Sequence, residues 1–304
     1  MIKYILIKLP QYILKKRLDK ILSFFLPKYS RSYIKKLIIK NKVTSNLKLL
    51  NKPSIKIFKR ILIKITFINK KKITKYKNIK LNILYEDKYL LIINKPHNLV
   101  VQPGFKNLNK TLINCLLNYN NFLIFIYRLG LIHRLDKNTS GIILITKTIL
   151  SRKLFINMFK YHKIYKEYES IVIGKILNNG FINANISRSK KKKIKMNINI
   201  NGKNAITYYK IIKIFNKYTR IKIIIKTGRT HQIRVHMLYI NYPILGDKKY
   251  NIKKKKFLFF KKIKRQILHA CCINFYHPIF GYNIICFSKI PLDILNLINI
   301  INIK

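Results

Sequence analysis

The stretch Gly130-Leu-Ile-His-Arg-Leu-Asp-Lys-Asn-Thr-Ser-Gly141 decides how this chain is read. Apolar strands flank it. The end of the first delivers His133, Arg134 and Asp136 into a turn made by Asn138, Thr139, Ser140 and Gly141, and the next strand begins at Ile142. Asp136 is then a carboxylate at the lip of a sheet, next to cationic side chains. A neighbouring guanidinium favours the ionised carboxylate. That suits a nucleophile or base that must be charged at neutral pH. A turn aspartate bonded to its own backbone is the structural alternative at this point.

Two further segments lie downstream. In Thr227-Gly-Arg-Thr-His-Gln-Ile-Arg-Val-His-Met237, Gly228 breaks a strand, and Arg229, His231, Arg234 and His236 are expected on a helix. Arg229 and Arg234 are five residues apart and are expected to point differently. An arginine here pairs with Asp136 or holds a phosphate, bidentately in either case. A metal site is not expected: His231 and His236 are spaced i, i+5, and no nearby carboxylate completes a ligand set. Cys271-Cys272, near His269 and His277, sits in an apolar β-like run and is read as core. The third segment is Lys166-Glu-Tyr-Glu-Ser170, a strand on which Tyr168 shares a face with Lys166 and Ser170. Taken alone it says nothing about function.

Upstream, Leu18, Ile21, Leu22 and Phe25 mark a helix ended by Pro27, and Ile34, Leu37 and Ile38 mark a second, capped by Ser30. Ile61, Ile63, Ile65 and Phe67 alternate as a strand. The expected organisation is a basic apolar lead-in over 1–15, a small helix–helix–strand unit over 16–68, a lysine-rich linker over 69–80 and a large domain over 81–304. In the large domain Thr111 caps a short helix, and strands are expected at 89–93, 165–173, 205–215, 218–226, 267–275 and 283–287. Strands outnumber helices without βαβ alternation, so the class is α+β.

Composition narrows the choice of function. Among 304 residues, Lys and Arg number 65 against 8 Asp and Glu, a net charge of +57. At 49% hydrophobic residues the chain is no disordered basic tail. No apolar run reaches the roughly 18 residues of a membrane span. The lead-in, broken by Lys3, Lys8 and Pro10, is not read as a signal peptide. Four cysteines without paired spacing fit a reducing compartment, so the expected location is cytoplasmic.

Any strongly basic chain attracts polyanions. Yet Ile, Lys, Asn, Tyr and Phe dominate and Trp is absent, as A- and T-rich codons would produce, and runs such as 190–193 and 253–256 read equally well as solvated faces. The carboxylates carry more information. Asp19, Glu86, Asp87, Asp136, Glu167, Glu169, Asp247 and Asp293 are all that remain, and they are expected to be ones the protein needs.

Together the segments resemble the pseudouridine synthase family of the type that modifies large-subunit ribosomal RNA. The resemblance rests on His133–Gly141, on Lys166 and Tyr168, on Gly228–Met237 with Pro243–Asp247, and on Glu86–Pro96 with Pro103-Gly104. It extends to Leu268-His-Ala, Tyr276-His-Pro278 and Pro291-Leu-Asp293, and so covers about 84–294. Asn94–Gly104 and Lys203–Thr207 favour the family's D subgroup over the C type. The N-terminal unit, with Arg17-Leu-Asp-Lys20 and Tyr29-Ser-Arg-Ser32, is similar to the S4 RNA-binding domain, although Leu47 stands where that domain often has a turn glycine.

The resemblance implies an S4-like αα-β domain followed by a mixed, mainly antiparallel catalytic sheet with flanking helices. It implies isomerisation of uridine to pseudouridine, without metal or redox cofactor, in large-subunit ribosomal RNA of a 50S particle or its precursor, with the helix 69 loop as the expected target. Asp136 is then the catalytic aspartate, Arg234 its partner and Tyr168 the ring on the detached uracil. RNA contacts are expected from Arg134, His133, Arg229, Arg17, Arg31 and Lys35. The protein is expected to act as a monomer, away from membranes. Two other classes were weighed. One is an S4-type ribosome assembly factor without catalysis, against which Asp136, Tyr168 and Arg234 argue. The other is a peripheral protein on anionic membranes, for which no amphipathic anchor is found.

Overall fold

The computed structural model describes residues 4–303 apart from 28, 30, 47, 68–79, 105–108, 190–193 and 251–262. Ser30, Leu47, the lysine runs and all but Lys80 of the expected linker lie outside the described residues. The chain forms two compact units, Met1–Ile73 and Thr74–Lys304.

The first unit holds β1 (Tyr4–Lys8), α1 (Leu18–Phe25), α2 (Arg31–Ile39), β2 (Val43–Ser45), β3 (Lys48–Leu49) and β4 (Leu62–Thr66). Its sheet runs β1-β4-β2-β3. The periodic apolar residues of α1 and α2 are the ones buried, and they pack with Val43, Ile63 and Ile65. The expected lead-in is structured: β1 pairs antiparallel with β4, placing Ile5 opposite Ile65 and Ile7 opposite Ile63, and Leu9 and Ile13 enter the core. β1 is an edge strand with one buried residue in five, so its sequence carries no alternation to read.

The second unit is built on a nine-stranded sheet. Its strands are β5 (Asn82–Glu86), β6 (Leu90–Lys95), β7 (Ser140–Thr146), β8 (Tyr165–Ile173), β9 (Gly180–Asn183), β12 (Ile206–Ile214), β13 (Tyr218–Ile225), β14 (Leu268–Tyr276) and β15 (Asn283–Phe287); β10 (Ile186–Arg188) and β11 (Met196–Ile198) form a separate hairpin. The order is β5-β6-β7-β14-β8-β13-β12-β9, with β15 also on β14. The β7–β14 pair is parallel and the other pairs of the sheet are antiparallel. Helices α3 (Leu112–Tyr119), α4 (Ile149–Lys160), α5 (Gln232–Tyr239) and α6 (Leu292–Ile303) flank it, so the architecture is α+β as expected.

Alternation across β6 and β7 shows why the sheet is covered on both faces. Leu91, Ile93, Ile143 and Ile145 pack with Leu112 and Leu116 of α3. Leu90, Ile92, Ile142 and Leu144 pack with Phe155 of α4 and Phe275 of β14. All seven residues of β7 are buried, as a strand between two helical layers requires.

The segment entering the central motif is not the expected strand. Asn121–Phe125 and Tyr127–Gly130 are 3-10 turns, and Arg128, Leu129 and Gly130 take positive φ in succession. Three left-handed residues reverse the chain, which meets β7 without pairing as a strand: the Gly130 carbonyl accepts from the Thr146 hydroxyl, and Leu131 makes a single bridge to Ile145. Gly141, by contrast, fixes the exit. Its φ is +112°, and a Cβ there would lie 2.2 Å from the carbonyl oxygen of Ala270. Only glycine permits the close β7–β14 pairing that sets the end of the Asp136 loop.

Candidate active site

The register of three strands brings the sequence segments together. Gly141 is opposite Ala270 on β14, Ala270 is opposite Tyr168 on β8, and Tyr168 is opposite Ile223 on β13. The chain after β13 then turns back through Thr227 to α5, which carries Arg234. Gln232 closes that turn by accepting from the Thr227 hydroxyl and the Arg229 N–H.

Arg234 Nη1 donates to Asp136 Oδ2 at 2.6 Å. Its Nε and Nη2 donate to the two oxygens of Asp247 at 2.7 and 2.9 Å. Asp247 also accepts the Lys249 and Tyr250 N–H groups. The guanidinium lies over the Tyr250 ring. Arg234 is thus a buried fork fixed by one carboxylate and aimed at another.

Burial alone pushes the Asp136 carboxyl up. His231, Arg234 and Arg134 more than offset this and hold it below the usual carboxylate range. Burial also pushes His231 down to about 4, so at neutral pH the imidazole is uncharged and Arg234 is the adjacent cation that keeps Asp136 ionised. The Tyr250 hydroxyl accepts the Met196 N–H and hydrogen-bonds His231 Nδ1, and His231 Nε2 lies 3.8 Å from Asp136. Tyr168 is buried in the core cluster that contains Leu135, and burial, with the charge of Asp136, pushes its phenol well up.

The loop itself is held residue by residue. The Lys95 ammonium is wholly buried and donates to the carbonyls of Pro96, Leu99 and Lys137 at 2.7, 3.0 and 3.3 Å. Burial lowers its pKa to about 7. Arg265 donates to the Asn138 carbonyl and the Ser140 hydroxyl while pairing bidentately with Asp293. Gln266 donates to the Thr139 hydroxyl, and His269 Nδ1 bonds Ser140 Oγ. Sequence reading missed Lys95, Arg265 and Gln266; the position of Lys95 within Asn94-Lys-Pro96 was the available signal. Among the described residues there is no cluster of three or more His, Cys, Asp or Glu able to hold a metal.

Several expected contacts are corrected. Arg229 and His231 precede α5, and His231 sits at its N-cap with φ 56°. His133 does not present its ring to solvent for RNA. Its Nε2 accepts the Leu144 N–H at 2.7 Å, the ring stacks on Phe159, and burial pushes its pKa down to about 3. Arg134 is exposed, and its charge contributes to holding Asp136 ionised. In the first unit Arg31, Arg17 and Lys35 converge on the fully buried Asp19 at 2.7, 3.1 and 3.6 Å. They neutralise a carboxylate, although each stays about two-fifths exposed (44%, 41% and 43%).

The model of the RNA pseudouridylate synthase family matches residues 89–239, a span that includes Asp136, Tyr168 and Arg234. The chain belongs to that family. It is 41% identical over 302 residues to ribosomal large subunit pseudouridine synthase D of Buchnera aphidicola subsp. Baizongia pistaciae, covering 95% of this chain and 94% of the relative. It is 37% identical over 295 residues to the Yersinia pestis protein of the same name, covering 94% and 91%. Among solved structures, human RNA pseudouridylate synthase domain containing 4 shares the fold with a TM-score of 0.58 at 21% identity, over 73% of this chain and 93% of that one.

Proposed function

We propose that this enzyme isomerises uridine to pseudouridine in large-subunit ribosomal RNA, in the helix 69 loop, with Asp136 acting at the sugar. The observation that carries the reading is the Arg234 fork, which holds Asp136 ionised in a site that is otherwise buried. The names of the relatives support ribosomal RNA as the substrate.

In this reading the N1–C1′ bond of the uridine breaks, the uracil turns, and a C5–C1′ bond forms. The C5 proton is lost and N1 ends protonated, so atoms and charge balance with no oxidant or reductant. Asp136 stabilises C1′ as nucleophile or takes a sugar proton as base. The phenol of Tyr168 is neutral at neutral pH, which supports a role as the surface on which the detached uracil turns rather than as a base. The uridine leaves its stack to enter, at a cost of a few kcal/mol. Arg134 occupies the space it vacates, and the Met1–Ile73 unit serves as an S4-like RNA contact. An assembly factor without catalysis has no feature in its favour here. The test is incubation with unmodified large-subunit ribosomal RNA followed by pseudouridine mapping. Loss of the helix 69 signal with Asp136→Asn is expected. Equal activity of that variant would sink the role given to Asp136.

A further inference from the structure

A second concavity adjoins the site. It encloses about 450 Å³ between the β10–β11 hairpin, the turn at 201–203 and the loop 228–230. Its charged lining is Arg188, Lys203 and Arg229, with no carboxylate among the lining residues. The loop 228–230 leads directly into His231, whose Nε2 faces Asp136 at 3.8 Å, so the groove opens beside the reacting centre.

Two details bear on the occupant. Arg229 is anchored through Nε to the Asn204 carbonyl at 2.9 Å, and its terminal nitrogens have no partner among the described residues. The guanidinium is therefore positioned in advance, with its fork open. Gly228 is the second detail. Its φ is not positive, and a Cβ built on it meets nothing within 4 Å. Nothing within the chain requires glycine there, and alanine at such a position ordinarily stabilises a fold. A ligand whose backbone passes over the loop would account for the missing side chain.

We infer that this groove binds the phosphodiester and sugar of a nucleotide flanking the target uridine, gripped by Arg229 and Lys203 and lying against Gly228. The inference rests on the RNA reading above and adds a subsite to it. A phosphate approaching bare backbone beside a pre-positioned arginine is a common mode of RNA backbone contact.

The test uses the full chain with a large-subunit stem-loop RNA. Gly228→Ala is expected to melt no lower than wild type while KM rises about tenfold and kcat holds. Arg229→Gln and Lys203→Gln are each expected to reduce the slope of log binding constant against log salt by about 0.7, one phosphate each. Unchanged KM in Gly228→Ala together with unchanged slopes overturns the proposal. So does saturable binding of uridine 5′-monophosphate that Arg229→Gln abolishes while the RNA slope stays that of wild type, since the groove then serves a free nucleotide. If wild type binds RNA with these slope changes yet makes no pseudouridine, the isomerase reading fails and the groove stands.

Discussion

Asp247 faces Arg234 from the side opposite Asp136, and by occupying Nε and Nη2 it leaves Nη1 as the nitrogen that meets the Asp136 carboxylate. The orientation of the Asp136–Arg234 pair is therefore set by a carboxylate that does not itself touch Asp136.

Asp247→Asn keeps the shape and removes the charge. Arg234 is then held by one acceptor and is free to swing toward Asp136. We expect kcat to fall about 10- to 100-fold with KM little changed, and the fold to lose about 2 kcal/mol because a buried guanidinium loses one of its two carboxylate partners. Steady-state kinetics and denaturant titration of the same preparation separate the two effects.

Arg234→Lys retains charge but not the fork, so it cannot bridge Asp136 and Asp247. Activity should drop at least as far as in Asp247→Asn. A lysine variant with near wild-type kcat would show that charge alone suffices.

Lys95→Met removes three hydrogen bonds to backbone carbonyls, one of them Lys137 in the loop that carries Asp136 and the other two Pro96 and Leu99 after β6. It also removes a buried cation, so the expected change in stability is under about 2 kcal/mol in either direction. The expected loss is in kcat, about tenfold, with RNA affinity intact. The group also has a pH signature. Its folded pKa, about 7, lies below the unfolded lysine value near 10.4, so between the two the unfolded chain holds a proton that the folded chain lacks. Its contribution to stability therefore rises with pH across that window, and Lys95→Met flattens the rise.

Acid should destabilise the fold for the matching reason. His133 and His231 are pushed down to about 3 and 4, and His97, His236, His269 and His277 are shifted in the same direction, in each case chiefly by burial. From about pH 6.5 down to the folded values the unfolded chain binds protons that the folded chain does not, so stability falls as pH drops through that range. For His133 alone the loss at pH 5 is about 2 kcal/mol. Chemical denaturation at pH 7.5 and pH 5 should show it, and His133→Gln should show less.

Asp19→Asn leaves Arg17, Arg31 and Lys35 facing one another around a neutral amide. Because those three are exposed, screening limits the loss to about 1–2 kcal/mol. It should appear in the melting of Met1–Ile73 and leave the melting of the other unit unchanged.

What could be read from the sequence depended on local pattern. β8, β13 and β15 were legible because apolar alternation or continuity follows directly from burial on a pleated strand. Asp136, Tyr168 and Arg234 were legible because their motifs are long. The run before His133 was misread because apolar residues alone do not announce three left-handed residues. Arg17, Arg31 and Lys35 were expected only as RNA contacts, because their convergence on Asp19 is tertiary and leaves no local pattern. α6, rich in Ile and Asn, has little helical preference of its own and depends on burying Ile294, Leu297, Ile298 and Ile301. Arg265 was hidden by abundance among 65 basic side chains, and Lys95 carried no local mark beyond its place in Asn94-Lys-Pro96.

Seven of the eight carboxylates pair with Lys or Arg, and Asp87 accepts the Tyr89 and Leu90 N–H groups. No acidic side chain is left over to repel a phosphate. Encounter with a polyanion is then productive from almost any direction, and what needs help is departure. At low salt, turnover on RNA should be governed by how quickly the product escapes, so that added salt speeds multiple rounds while slowing the first. A fully paired acidic complement thus turns the ionic medium into the release mechanism.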